Sequence, residues 1–406
     1  MRPVVVYDPF SPEVMTDPYP IYAALRSAGP AQPLPQYDAV ALPRFADVWE
    51  VSRDREHFSI VEGPVSRRDA LLVHNPGPPA AGPTDPADPV RSYSMADPPV
   101  HTALRGTQAP VFTPAAVRRA DGAVRSHARA LLDRLTPAGG FDVVRDYAAP
   151  VAARATCAAL GLAGFDEERV VDLVNASARR DGLRPGMSDA GRAAMGELAG
   201  LVAAAVRGGA ADGPLAALAA VEVAGRRLTV DEIAGQVTTT LVGGVESLPK
   251  VVGGGVRALA ADPDQRRGLV EEPGRVPGAF EECLRLFVPL QFGVRTLVVD
   301  AEVAGVSLRA GQRVILLYAS ANRDETEFFD AERFDVTRRI ERHLGFGHGL
   351  HFCIGAHAAR QQGVVLLGEL LARIPEWEVD ATGVVTPPSE FQQGSTAVPI
   401  RFAPRG

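Results

Sequence analysis

One segment sets the dimensions of whatever this chain folds into. Thr229-Val-Asp-Glu232 places a carboxylate three residues after a hydroxyl, the pattern of a capping box at a helix start. Helical spacing then continues to Ala261, where Pro263 stops it. At 1.5 Å per residue such a helix is roughly 50 Å long, enough to cross a whole domain. Its middle reads Thr238-Thr-Thr-Leu-Val-Gly-Gly-Val-Glu-Ser-Leu-Pro249. In an exposed helix interior each glycine costs about 1 kcal/mol and the proline about 3 kcal/mol. Carrying them through a core helix points to a purpose. Gly243 and Gly244 let a flat or bulky group approach the backbone, while Pro249 frees the carbonyl of Val245 and bends the helix. Glu246 and Ser247, an acid beside a hydroxyl, stand at the bend. On these residues alone, Glu246 reads equally well as a side chain reaching the surface from a kinked packing helix.

The rest of the chain supplies helices for that one to pack against. Tyr19 to Ala28 has helical spacing and Ala39 to Leu42 reads as a strand. From about residue 100 to 220 the pattern is helical and Ala-rich, with breaks near 137–140, 161–165, 184–186 and 208–214. Strands are expected over 295–301 and 312–317, a last apolar helix over 356–374, and short strands with a hairpin over 377–402. Residues 63–99 are crowded with proline, as in Asn75-Pro-Gly-Pro-Pro79, which forbids long regular structure and predicts a loop-rich lid. The expectation is one domain over residues 1–406, mainly α with a minor β portion.

Charge and cysteine content narrow the function classes. With 42 Lys+Arg against 49 Asp+Glu, the net charge of −7 argues against nucleic acid as the principal partner. Only one of those basic residues is a lysine, Lys250. The opening Met1-Arg-Pro-Val-Val-Val-Tyr7 lacks a signal peptide's apolar run and a membrane span, so a cytoplasmic protein with no membrane partner is expected. Cys157, Cys283 and Cys353 are too far apart for a zinc knuckle or a disulfide framework. Cys157 and Cys283 fall in apolar helical stretches and read as core.

Cys353 differs. It follows a glycine-rich loop and precedes a strong apolar helix within Phe346-Gly-His-Gly-Leu-His-Phe-Cys-Ile-Gly-Ala-His-Ala-Ala-Arg360. A helix N-terminus favours a thiolate and lowers its pKa, which suits either a nucleophile or a metal ligand. Gly347, Gly349 and Gly355 permit a tight turn and the approach of a planar group. A cysteine hydrolase or transferase fits poorly, because no His/Asn partner spacing is evident and the glycines would go unexplained.

Phe346-Gly-x-Gly-x-His-x-Cys-x-Gly, with Ala359-Arg360 after it, resembles the haem-binding signature of the cytochrome P-450 superfamily. Further motifs agree in order. Glu282-Cys-Leu-Arg285 is similar to the ExxR pair, with Arg333 as its third member. Asp97-Pro-Pro-Val-His-Thr-Ala-Leu-Arg105 is similar to a segment that contacts a haem propionate, and residues 305–334 follow the family template through Ala321-Asn-Arg-Asp324. The resemblance runs from about residue 8 to the C-terminus, in the pattern of soluble bacterial members. It implies a cytochrome P-450 fold with the 229–262 helix kinked over haem b (iron protoporphyrin IX), and the 346–360 segment on the proximal side.

The same resemblance implies the site. Cys353 would be the thiolate ligand of the iron, a ligation the general chemistry of haem proteins already describes. His101, Arg105, Arg295 and His351 would hold the propionates, while Gly243, Gly244, Phe346, Gly347 and Gly355 would shape the haem pocket. Glu246 and Ser247 would relay protons, serine standing where the family usually has threonine. The implied activity is monooxygenation: one atom of O2 enters a small or medium-sized apolar substrate, by hydroxylation or epoxidation, as in secondary metabolism. A separate ferredoxin and ferredoxin reductase would supply electrons. Two alternatives are a peroxide-driven peroxygenase and a haem-thiolate ligand-binding protein without turnover. Phe287, Phe292 and Phe391 are candidate substrate walls, and Gln291, Gln392 and Gln393 candidate polar contacts.

Overall fold

The computed structural model describes residues 5–63, 68–72, 77, 79, 88–162, 164–209 and 212–403. Of the 37 residues of the expected 63–99 lid, 17 lie outside the described residues; within the rest, Arg68–Leu72 forms a short helix. The chain is mainly helical with a minor sheet portion, as its patterning predicts. The expected helix Tyr19–Ala28 and strand Ala39–Leu42 are present. Helices also end at the expected breaks after Leu135, Leu160 and Arg207, whereas the helix before the break at 184–186 ends earlier, at Ala178. No helix among the described residues is long and apolar enough to cross a membrane.

The long helix runs from Val230 to Ala261 with Pro249 inside it. Its capping box is formed as expected: Glu232 N–H donates to Thr229 Oγ1 at 3.2 Å and Thr229 N–H to Glu232 Oε2 at 2.8 Å. Glu232 does more than cap, since Val90 N–H also donates to Oε1 at 2.8 Å and Arg226 pairs with the carboxylate. These bonds, led by Arg226, hold its carboxyl at about 2.

Two apolar cores lie along this helix, and they divide it. Ile233, Val237, Leu241 and Val245 belong to one, shared with Leu160, Val174 and Leu198. Leu248, Val251, Val252, Val256 and Leu259 belong to the other, with Phe280, Val365 and Leu366. Glu246 and Ser247 therefore stand at the seam between two cores. Helices Ala149–Leu160, Asp189–Arg207, Val276–Leu286 and Ala356–Arg373 pack around it.

The main sheet has five short strands, ordered Gln32–Leu34, Ala39–Leu42, Arg313–Leu316, Gly293–Leu297 and Phe58–Ser59. Arg313–Leu316 runs parallel to Ala39–Leu42 and antiparallel to Gly293–Leu297, with Val314 opposite Arg295. The strand expected over 295–301 is thus displaced: it ends at Leu297, and Ala301 opens a separate hairpin with Val306–Leu308. In the tail, Glu378–Val379 pairs with Pro399–Arg401, which pairs in turn with Gly140–Asp142.

A fully buried ion pair fastens helix Val276–Leu286 to the long loop after residue 321. Arg285 donates from Nε and Nη2 to both oxygens of Glu282 at 2.7 and 2.8 Å. Its Nη1 reaches the carbonyls of Asn322 and Ala331, each at 2.7 Å. The expected third member is corrected here. Arg333 contributes only its carbonyl, to Arg285 Nη2 at 3.2 Å, whereas the side chain that pairs with Glu282 is Arg338, at 3.2 Å. The loop turns after Asp330, which sits at positive φ, and that turn carries Arg338 back to the pair.

Removing one partner of a buried pair strands the other charge. Arg285→Met is expected to lower stability by about 3–5 kcal/mol. Urea unfolding of purified protein checks this, and a loss under about 1 kcal/mol would contradict the arrangement.

Candidate active site

The cysteine loop is built as a tight turn. Gly347 and Gly349 take φ of +66° and +73°, a region that L side chains rarely adopt. Cys353 N–H then donates back to the carbonyl of Phe346 at 3.0 Å. Asn322, whose carbonyl holds Arg285, accepts the N–H of Leu344 on its Oδ1 at 2.7 Å, so the buried pair reaches the start of the loop. Arg105 Nη2 donates to the carbonyl of Phe352 at 2.6 Å.

Glu281, beside the ion pair, clamps both flanks of this loop. It accepts from Arg360 Nε at 2.7 Å and contacts His343 Nε2 at 2.9 Å. Burial pushes its carboxyl up, but these two partners reverse the effect and hold it at about 2. Arg360 also lies over the ring of Phe346, 4.6 Å from its centroid. The motif reading omitted Glu281; its place next to Glu282 was the available signal.

Cys157 and Cys283 are buried, as expected, and burial pushes the Cys157 thiol up to about 11. Cys353 is instead open to a cavity. Its thiol pKa is raised, contrary to the lowering expected at a helix start. Burial by the surrounding protein is the largest cause; the Gly355 N–H and the charges of Arg105 and Arg360 only oppose it. A bound metal cation would itself supply the charge that deprotonates the thiol.

That cavity has a volume of about 330 Å³. The proximal loop gives it Phe346, Gly347, His351, Cys353 and Gly355, and the long helix gives it Gly243, Gly244 and Ser247. Arg105 and Arg295 also line it. His101 does not; it lies buried behind His351, with ring centroids 4.5 Å apart. Both ring nitrogens of His101 and Nε2 of His351 are buried without a hydrogen-bond partner among the described residues. Burial lowers His101 to about 4 and His351 to about 2, aided by the neighbouring arginines. Unsatisfied imidazoles beside two arginines are expensive unless an anionic group completes them. A soft sulfur at one wall, cations and orphaned imidazoles at one edge, and a bare glycine at the other wall fit a haem.

The two helix glycines divide their work. A Cβ at Gly243 would meet nothing within 4 Å, so this residue keeps the cavity open. A Cβ at Gly244 would lie 2.7 Å from Thr156 Oγ1, so that glycine also lets helix Ala149–Leu160 pack closely. Ser247 lines the cavity, but Glu246 does not. Its Oε1 is 2.7 Å from Lys250 Nζ, and both side chains are 6% exposed. This partner was missed, although a single lysine four residues after the acid on one helix was legible.

The proposed substrate walls also separate. Phe391 and Gln392 line the cavity, and Gln392 Oε1 has no partner among the described residues. Phe287 and Gln393 line a different cavity. Phe292 is core, packed edge-on against Phe10, and Gln291 Nε2 is engaged by the Pro289 carbonyl at 3.1 Å. Tyr93 and Thr240, from two segments expected to line the pocket, stand on the substrate-side wall with their hydroxyls 3.2 Å apart.

Comparison with known proteins agrees with this geometry. A family model described as Cytochrome P450 matches residues 212–399. Cytochrome P450 130 of Mycobacterium tuberculosis is 34% identical over 403 residues, covering 96% of each chain. The vitamin D(3) 25-hydroxylase of Pseudonocardia autotrophica is 32% identical over 414 residues, covering 98% of this chain and 97% of that one. The structure of Mycobacterium marinum cytochrome P450 CYP268A2 in complex with pseudoionone superposes with a TM-score of 0.82 at 29% identity, covering 99% and 100%. With full-length relatives at this identity, and a cysteine loop facing a glycine-and-serine helix wall across one cavity, the chain belongs to the cytochrome P450 superfamily of haem-dependent monooxygenases.

Proposed function

We propose that residues 1–406 form a single catalytic domain that inserts one atom of O2 into a small or medium-sized, mostly apolar molecule by hydroxylation or epoxidation. The observation that carries this reading is Cys353, the one cysteine open to the cavity, sharing that cavity with Gly243 and Ser247. Cys353 is the iron ligand in this reading, and His101, Arg105, Arg295 and His351 receive the propionates of haem b. When bound, the haem supplies O2 activation, which an anionic sulfur ligand favours.

The chain's own residues supply what surrounds that chemistry. Leu248, Val251, Leu290 and Phe391 give the substrate an apolar wall and limit water. Thr239, Tyr93 and Gln392 offer neutral hydrogen-bonding groups that orient it. The relatives point the same way, since vitamin D(3) and pseudoionone are both mostly hydrocarbon. Ser247 Oγ passes a proton into the cavity, with Glu246 behind it as the acid. Electrons come from a ferredoxin and its reductase in the cytoplasm, and a role in secondary metabolism is in keeping with the cavity. Peroxide-driven turnover is the second reading, favoured by one observation: Glu246 is paired with Lys250 rather than turned into the cavity.

Purified protein with surrogate ferredoxin, ferredoxin reductase and NAD(P)H should yield oxygenated product that requires O2. Product from H2O2 alone, with none from the reductase system, would favour the second reading. Cys353→Ser should abolish the red-shifted absorption of the reduced carbonyl adduct; its survival would remove Cys353 as ligand. Ser247→Ala is expected to lower product per reductant several-fold while haem binding persists. An unchanged ratio of product to peroxide would take Ser247 out of the mechanism.

A further inference from the structure

Farther along the long helix lies a second, side cavity of about 430 Å³, within the range of roughly 300–1,000 Å³ usual for small-molecule sites. Lys250, Arg257 and Ala258 line it from the helix, and Gln393, Gly394 and Ser395 from the C-terminal loop. It reaches the surface, since Thr16, Asp17, Arg257 and Thr386 on its walls are exposed. Three of its lining residues, Lys250, Arg257 and Arg323, are basic and one, Asp17, is acidic, although the chain as a whole carries a net charge of −7.

The protein satisfies these three cations to different degrees. Lys250 is matched by Glu246, with Nζ 2.7 Å from Oε1, so recognition of a ligand falls to the two arginines. The Arg323 side chain is 7% exposed, and its Nε donates to Glu332 Oε2 at 3.0 Å. That carboxylate is shared with Arg26, 3.1 Å away. The Tyr19 ring lies against the Arg323 guanidinium, 3.9 Å from Cζ to the ring centroid, and fixes its plane. Arg323 Nη1 is buried without a hydrogen-bond partner among the described residues. A buried donor on a charged group is expensive to leave unpaired, and Glu332 does not reach it. At the mouth, Arg257 has no carboxylate partner among the described residues. Its Nη1 donates to Ser395 Oγ at 3.0 Å, and Ser395 Oγ lies 2.8 Å from Thr386 Oγ1. Those hydroxyls order the guanidinium without neutralising it.

We propose that the side cavity is a second ligand site, for a small organic carboxylate. Arg323 and Arg257 hold the anionic end, and Phe287, Val288 and Ala258 receive the hydrocarbon part. A carboxylate matches arginine's planar fork and would complete donors that the fold leaves open. A bare ion would satisfy the arginines but leave those apolar walls in water, so the ligand carries an apolar body.

Benzoate is the probe, titrated calorimetrically into the holoenzyme. Saturable binding of one equivalent, with a Kd of about 1 mM or tighter, is expected, and absence of saturation would overturn the proposal. Benzyl alcohol, which keeps the ring and lacks the charge, should bind at least fivefold more weakly. Inorganic phosphate, which keeps the charge and lacks the ring, should do the same. Either one binding as tightly as benzoate would overturn the assignment of an organic carboxylate. Arg323→Gln should weaken benzoate binding at least tenfold and Arg257→Gln at least threefold. The second substitution, at an exposed position, keeps the test valid if the first protein does not fold. Ala258→Phe, which adds a ring to the apolar wall, should weaken benzoate binding at least tenfold as well. Unchanged affinity in Arg257→Gln and Ala258→Phe would put benzoate elsewhere, the substrate cavity included, and the proposal would fail.

Discussion

The Arg285 guanidinium is buried completely, and much of the site hangs from it. A charge there is tolerable only because Glu282 and three carbonyls, from Asn322, Ala331 and Arg333, take up its donors. Each carbonyl lies on the irregular chain between the sheet and the cysteine loop, which has little regular hydrogen bonding of its own. The pair thus organises a segment that secondary structure does not. Asn322 relays that order to Leu344, and Glu281, one residue from Glu282, grips His343 and Arg360 on either flank of the loop. The position of Cys353 is a result of electrostatics conducted through backbone.

The opposite wall of the cavity follows a different logic. The long helix is packed by two separate cores, one ending at Val245 and the other starting at Leu248. Polar side chains can occupy the seam without breaking either apolar cluster. Gly243 leaves the wall bare, Ser247 turns into the cavity, and Glu246 is satisfied by Lys250. Packing on both cores, which lie on either side of Pro249, carries the helix through it.

Local signals in the sequence were strong where the chain's own chemistry decides the outcome. The capping box, the helix end before Pro263, the strand at 39–42 and the glycine turn before Cys353 were all legible. So was the gathering of Arg105, Arg295 and His351 around one cavity, through resemblance rather than spacing. Partners chosen by tertiary folding were not. Arg338 replaces Arg333 because the loop folds back, and spacing says nothing of that. Phe287 and Phe292 were indistinguishable from Phe391 until the fold turned one to the side cavity and one into the core. The thiol of Cys353 moved opposite to expectation because burial, which one-dimensional reading underestimates, outweighs the helix end.

The capping acid Glu232 has a consequence of its own. By accepting the N–H of Val90 as well as that of Thr229, it nails the end of the proline-rich stretch to the first turn of the long helix. Tyr93 is fixed a turn later, its N–H on Gln236 Oε1 at 2.8 Å. With both backbone N–H groups held by the first two turns of the helix, the Tyr93 hydroxyl keeps its place against Thr240 Oγ1 at 3.2 Å, so one wall of the cavity is set by the same acid that starts the helix.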